Sequence, residues 1–126
     1  MPGTEIVTHI TADMMASVLE EEGEPVILAC IRNDVNLKEN LAVLDTVAAY
    51  VGPSIRVCYA TEELFSMIEN RYQVTGTPTF LIIKQGKLLD SLLGKTTAQN
   101  LMHFLKNTLK TRRSQGNYLN TGQETL

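Results

Sequence analysis

The sequence predicts an α/β protein, a three-layer α/β/α sandwich around a central mixed five-stranded sheet. Along most of the chain, short apolar segments alternate with longer segments whose apolar residues recur at helical spacing. Two of the apolar segments, 26–31 and 55–60, are continuously apolar or nearly so, which is typical of parallel strands covered on both faces. Two consecutive strands and a last amphipathic helix close the pattern, so the predicted sheet is mixed.

The first strand and helix are predicted from a weak alternation and a capping residue. Residues 4–10 alternate weakly between polar and apolar side chains, as an edge strand does. Thr11 is a candidate N-cap for a helix over 12–22, whose apolar side chains fall on one face. Gly23 ends this helix, because glycine adopts the conformation of a helix C-terminus at little steric cost.

Two more strand–helix pairs follow. The segments 26–31 and 55–60 are the predicted buried strands. Between them, Asn36 and Glu39 resemble a capping box for a helix that ends near Gly52-Pro53. A shorter helix is predicted over 62–72, with its apolar side chains directed inward.

The last part of the chain predicts a hairpin and a helix. Strand 77–83 is opened by Pro78, Gln85-Gly86 forms the turn, and 88–93 returns antiparallel. Thr96 and Gln99 form a predicted capping box for the final helix. The polar stretch 111–126 is then expected to be a flexible tail, which leaves 1–110 as the single domain.

Composition excludes several classes of protein. A net charge of −3 argues against a nucleic-acid surface, and no apolar run approaches the length of a membrane span. Two cysteines are too few for a disulfide-rich secreted scaffold, and the N-terminus lacks the pattern of a signal peptide. We therefore expect a cytoplasmic protein that binds neither nucleic acid nor membrane.

Four local segments carry a resemblance to a known family. They are Arg-Tyr-Gln-Val-Thr-Gly-Thr-Pro-Thr at 71–79, Lys-Gln-Gly-Lys at 84–87, Pro-Val-Ile-Leu at 25–28, and Gly94 after the last strand. Over roughly residues 5–110 the chain resembles the thioredoxin family, where such segments are the approach to a cis-proline, a hairpin turn and the central strand. The resemblance implies the thioredoxin fold and a cis bond before Pro78.

The chain departs from this family at the redox motif. Where the family has Trp-Cys-x-x-Cys, this chain has Arg-Asn-Asp-Val-Asn-Leu-Lys at 32–38, with Asp34 near the first cysteine and Leu37 near the second. There is no tryptophan, and the family's buried acid maps near Ala29. Dithiol exchange needs a thiolate nucleophile and a second thiol that resolves the mixed disulfide. We therefore expect no catalytic residues and no cofactor, although enzyme activity is left open.

The resemblance instead implies a non-redox protein-binding or assembly-chaperone module. Its groove would be formed by Thr75, Gly76, Thr77 and Pro78, together with Asn33 and Asp34 of the loop after the central strand. In such a groove the backbone before the proline pairs with an extended peptide or protein segment, which is a form of β-augmentation.

Two alternatives remain open at the level of sequence. The chain could be a thiol-disulfide oxidoreductase that uses Cys30 or Cys58, which lie on neighbouring predicted strands. The resemblance to the thioredoxin family implies that both face the same side of the sheet. The plainer interpretation is that both are small buried hydrophobic residues. The second alternative is a structural subunit of a complex, and the oligomeric state is open.

The polar residues after the central strand do not predict a metal site. Asn33, Asp34 and Asn36 indicate loop and cap chemistry, so no metal is expected.

Overall fold

The computed structural model describes residues 7–20 and 23–118, and for 111–118 it describes the backbone alone. The strands are β1 Val7–His9, β2 Val26–Cys30, β3 Arg56–Ala60, β4 Thr79–Lys84 and β5 Lys87–Leu93. The helices are α1 Ala12–Leu19, α2 Leu37–Val51, α3 Phe65–Tyr72 and α4 Ala98–Tyr118. Short 3-10 turns at Gly52–Ser54 and Glu62–Leu64 lead into β3 and α3.

The five strands form one mixed sheet in the order β1-β3-β2-β4-β5. β1, β3 and β2 are parallel, whereas β4 runs antiparallel to β2 and β5 runs antiparallel to β4. This confirms the predicted mixed sheet and the thioredoxin fold. The parallel strands end at the same edge, so the segments after β2 and β3 lie side by side there.

The sheet is covered on both faces, which explains why its central strands are continuously apolar. In β2, Leu28 and Cys30 enter the core beneath α1 and α3, while Ile27 and Ala29 enter the core beneath α2 and α4. All five residues of β2 are buried. A strand with two buried faces leaves no position for an exposed polar side chain, and the position mapped to the family's acid, Ala29, is fully buried alanine.

A set of polar contacts fixes α1 and α3 to the β4–β5 turn. The Gly86 N–H donates to Leu19 O at 2.7 Å, and the Tyr72 hydroxyl donates to Gly86 O at 2.9 Å. Arg71 forms an ion pair with Glu20 at 2.7 Å. Gly86 has a φ of 81°, and a Cβ there would approach the Arg71 guanidinium to 3.0 Å. Only glycine fits this turn without strain, and the contacts made there fix the C-terminal end of α3.

The structure corrects two predicted helix caps. Asn36 precedes α2 but its side chain makes no capping hydrogen bond, because its backbone is already helical at φ −93° and ψ −1° and an N-cap requires an extended backbone. The cap of α4 is Thr97 rather than Thr96, since Thr97 Oγ1 accepts the N–H of Asn100 at 3.0 Å. The predicted cap Thr11 lies before α1 in an extended conformation, but it also lacks a side-chain capping bond.

The domain boundary predicted at residue 110 does not coincide with a helix end. The backbone of α4 continues to Tyr118, because extending an existing helix costs far less than starting one. Residues 119–126 of the predicted tail lie outside the described residues, as do 4–6 of the predicted first strand and Glu21 and Glu22 of the first helix. Within the described part of the chain, every helix is too short or too polar to cross a membrane.

Leu81 and Leu93 provide a matched test of this core. Leu81 on β4 is 1% exposed and Leu93 on β5 is 60% exposed. We predict that Leu81→Ala lowers the free energy of unfolding by about 3 to 5 kcal/mol, whereas Leu93→Ala lowers it by less than about 1 kcal/mol. Urea unfolding followed by circular dichroism measures both, and equal losses would contradict the assigned faces of the hairpin.

Candidate functional site

The candidate site lies at the edge of the sheet where β2 ends and β4 begins. In the sheet register Cys30 is opposite Thr79, so the segment 75–78 before β4 lies beside the segment that follows β2. The Thr77–Pro78 peptide bond is cis, as the resemblance implied. The Gly94 N–H donates to Pro78 O at 2.8 Å, which connects the segment to the end of β5. The Thr79 hydroxyl donates to Gly76 O, which fixes the turn within the segment.

A pocket of about 130 Å³, which we name the Thr77 pocket, opens beside this segment. The buried side chains of Cys30 and Ile68 lie at its base, and the half-buried Phe65 and Val74 form its apolar wall. The remaining lining comes from Arg32, Glu69 and the segment 75–77. The pocket therefore combines an apolar interior with a rim of charged side chains and backbone.

The Thr77 backbone, just before the cis bond, is unpaired among the described residues. Within residues 7–20 and 23–118, neither its N–H nor its C=O has a hydrogen-bond partner. A backbone amide and carbonyl presented together at the end of a strand can accept one more extended segment by main-chain hydrogen bonds. Two exposed apolar side chains, Val35 at 94% and Leu93 at 60%, belong to the same end of the sheet, and Leu93 approaches Gly76 closely.

Two side chains of opposite charge complete the lining. The Arg32 guanidinium lies over the Phe65 ring, 5.6 Å from its centroid. Glu69 is one helical turn beyond Phe65 on α3. Neither side chain forms an ion pair within the described residues.

Asn33 and Asp34, predicted as part of the groove, serve the local backbone and do not line the Thr77 pocket. The Asn33 N–H donates to both carboxylate oxygens of Glu62 at 3.1 Å. Asp34 Oδ1 accepts the N–H of Asn36 at 2.9 Å, an Asx turn that leads into α2. The carboxylate at the position of the family's first cysteine therefore shapes the entry into α2.

The two thiols are buried and held apart. Cys58 is opposite Leu28 in the register and Cys30 is opposite Ala60, so the cysteines are offset by two residues on neighbouring strands. Strand spacing and rise place their Cα atoms about 8 Å apart, beyond the reach of a disulfide without backbone movement. They do face the same side of the sheet, as predicted. Both are free thiols.

Burial also suppresses the reactivity of these thiols. Burial raises the pKa of Cys30 from 9.0 to about 12. Burial likewise raises the pKa of Cys58 to about 12, with a small opposing contribution from Arg56 and a small further increase from Cys30. The Cys58 thiol donates to Ile27 O at 3.4 Å. Since the thiolate is the nucleophile in disulfide exchange, neither cysteine is activated in this conformation.

A second polar cluster lies at the ends of β1 and β3. The Thr61 hydroxyl donates to Glu63 Oε1 at 2.7 Å, and His9 Nε2 lies 3.2 Å from Thr61 Oγ1. Because the single hydroxyl proton is directed to Glu63, His9 donates to Thr61 and does not act as a base toward it. The hydroxyl hydrogen bond is the largest cause that lowers the pKa of Glu63. This cluster lacks an activated nucleophile.

Sequence reasoning found part of this site. Thr75, Gly76 and Thr77 line the pocket, and Cys30, predicted as a thiol of interest, lies at its base. Arg32, Phe65, Ile68, Glu69 and Val74 were missed. The sequence offers one usable sign, since Arg32 directly follows a buried strand and side chains at that position meet at the ligand-binding edge of α/β sheets.

Comparison with known proteins identifies thioredoxins as relatives. Over 70 residues the chain is 30% identical to thioredoxin Y2, chloroplastic, of Arabidopsis thaliana, a match that covers 56% of this chain and 42% of that protein. Over 68 residues it is 32% identical to thioredoxin Y, chloroplastic, of Oryza sativa subsp. japonica, covering 54% and 40%. No family model matches the sequence. The match spans about two fifths of each relative, and it confirms the resemblance that the sequence predicts.

Thiol accessibility is directly measurable. At pH 7.5 a pKa of about 12 in place of 9.0 reduces the thiolate population about a thousandfold. We predict that iodoacetamide alkylates the folded protein at least about a hundredfold more slowly than the urea-unfolded protein, by mass spectrometry. Alkylation of either cysteine at equal rates in both states would contradict the burial and raised pKa described above.

The contact between Glu62 and Asn33 predicts a local change. Glu62→Ala removes the only acceptor of the Asn33 N–H among the described residues, so we expect exchange of that amide to accelerate about five- to tenfold. Hydrogen exchange followed by NMR measures the rate. The control is Glu69→Ala, which removes an exposed carboxylate that does not contact Asn33 and should leave the exchange rate unchanged. If the Asn33 amide exchanged as slowly in Glu62→Ala as in the unmodified protein, the role of this contact would be refuted.

Proposed function

From the premise that this chain is thioredoxin-like in sequence and fold, we propose that it binds an extended segment of another protein without redox chemistry. The segment lies along 75–78, and the role is that of a protein-binding or assembly-chaperone module. The observation that carries the proposal is the Thr77 backbone, whose N–H and C=O have no hydrogen-bond partner in the described chain. This backbone lies beside an open pocket that has both apolar and charged side chains in its lining.

Main-chain pairing and the pocket supply complementary parts of such binding. Hydrogen bonds from an added strand give affinity that does not depend on sequence, whereas a pocket for a side chain gives selectivity. The exposed Val35 and Leu93 add apolar surface at the same end of the sheet. Apolar area that a bound segment covers contributes to the free energy of binding.

The proposal excludes electron transfer for a chemical reason. A thioredoxin-type reaction needs a thiolate stabilised at the start of a helix and a second thiol within reach. This chain has Asp34 at that position, while Cys30 and Cys58 are buried, protonated at neutral pH and offset by two residues. A carboxylate can cap the helix but cannot form a mixed disulfide.

A second candidate function is thiol-disulfide exchange through Cys30. The comparisons favour this candidate over the first, because the relatives are named thioredoxins. Cys30 also lines the Thr77 pocket, so a small opening of the pocket would bring its sulfur to a substrate. The geometry and the raised pKa favour the first candidate. A cytoplasmic location and a role as a structural subunit through 111–126 remain proposals that neither argument tests.

Binding of an unfolded chain tests the first candidate. We predict that reduced, carboxymethylated α-lactalbumin, which is extended and carries no free thiols, shifts the amide NMR signals of 74–77 and of Arg32. The expected affinity is weak, because an ordered segment loses conformational entropy on binding. Signals of the opposite face, such as those of α2 and α4, serve as the internal control. The absence of any shift at saturating probe would overturn the proposal.

Insulin reduction with dithiothreitol as the electron source distinguishes the second candidate. We predict no turnover above the rate of dithiothreitol alone, since neither thiol is activated. Turnover that is lost in Cys30→Ser and retained in Cys58→Ser would establish the second candidate and refute the non-redox role.

A further inference from the structure

The two charged side chains that line the Thr77 pocket, Arg32 and Glu69, lie at different positions along α3. Arg32 lies at the Phe65 end of the lining, with its guanidinium 5.6 Å from the ring centroid. Glu69 is four residues further along α3, about 6 Å along the helix axis. A cation therefore lies at one end of the apolar wall and an anion at the other.

Both charges remain available to a ligand. Two Lys/Arg–carboxylate ion pairs lie outside the pocket lining, Arg71 with Glu20 and Lys95 with Glu39. Arg32 and Glu69 are exposed and form no ion pair in that part of the chain. A ligand that carries an acid toward Arg32 and a base toward Glu69 would satisfy both.

The volume of the pocket limits what enters it. A dry protein cavity of about 150 Å³ holds a molecule the size of benzene, and the Thr77 pocket has about 130 Å³. Its base and wall are made by Cys30, Ile68, Phe65 and Val74, so a single leucine-sized apolar side chain is the complementary occupant. A polar side chain placed against these four residues would lose hydration without gaining a strong hydrogen bond from them.

We propose that the segment bound at 75–77 is recognised by a charge-ordered motif: one leucine-sized apolar residue in the Thr77 pocket, an acidic residue on the Arg32 side and a basic residue on the Glu69 side. The inference rests on the proposed binding function and adds the chemistry of the partner. In an extended segment, side chains two positions apart share a face, so the charged residues stand two positions before and after the apolar one. The motif has no net charge, and recognition depends on its order.

Short peptides test the order directly. The probe is an acetylated and amidated peptide of sequence Gly-Ser-Glu-Ser-Leu-Ser-Lys-Ser-Gly, and its partner has Glu and Lys exchanged. Both have the same composition and net charge. We expect one peptide to bind about tenfold more tightly than the other. The preferred peptide forms an exposed ion pair with Arg32 and another with Glu69, whereas the exchanged peptide places a like charge beside each of them. Replacing the central Leu by Asn weakens the preferred peptide at least about tenfold.

Charge reversal in the protein identifies the residues responsible. The double variant Arg32→Glu with Glu69→Lys keeps the net charge and should invert the preference between the two peptides. The double variant Glu39→Lys with Lys95→Glu reverses an exposed ion pair outside the pocket lining and should leave the preference unchanged. NMR titration to millimolar peptide measures both affinities and the residues that shift.

The outcomes separate this inference from the proposed function. Equal affinity for both orders, or a preference that survives the Arg32 and Glu69 reversal, overturns the inference while groove binding stands. Absence of any shift in 74–77 with these peptides and with carboxymethylated α-lactalbumin overturns both. Shifts of the pocket signals on dilution of the protein alone would identify a second copy of this chain as the occupant and would also overturn the inference.

Discussion

The antiparallel pairing of β4 with β2 is the constraint on which the candidate site depends. The register places Thr79 opposite Cys30, so the segment before β4 meets the segment after β2 at one edge of the sheet. That edge is also where the parallel strands end and where loops commonly form ligand sites. The hydrogen bonds from Gly86 to Leu19 and from Tyr72 to Gly86 fix the last residue of α3 at the other end of β4. Phe65, Ile68 and Glu69 of the same helix give the Thr77 pocket its third side.

This architecture is shared with thioredoxins, whereas the residues at its edge differ from the redox motif of that family. Where that family places a thiol at a helix start, this chain has an Asx turn formed by Asp34. The remaining sulfur nearby, that of Cys30, lies at the base of an apolar pocket, and burial raises its pKa to about 12. The burial that keeps the Cys30 thiol protonated also makes the surrounding surface suited to an apolar side chain. Loss of the redox pair and the presence of a side-chain pocket are therefore compatible with one binding role.

Much of the fold follows from residues whose physical requirements are local. Continuous apolar segments identified β2 and β3, the Gln85-Gly86 turn identified the hairpin, and the segment around Pro78 identified the site. Other features depend on three-dimensional context. Asn36 cannot cap α2 because Asp34 already turns the backbone before it, and Arg32 and Glu69, far apart in sequence, become one lining only once α3 packs beside β2. The sequence shows such residues merely as exposed charges.

The proposed binding requires that the Thr77 backbone forms hydrogen bonds with the bound chain. Hydrogen exchange of the Thr77 amide, measured by NMR with and without saturating carboxymethylated α-lactalbumin, tests it most directly. The account predicts that the probe slows this exchange by about tenfold or more, since a free amide gains an acceptor. An exchange rate that is unchanged while the probe is bound would contradict it, because binding would then bypass the backbone at the proposed site.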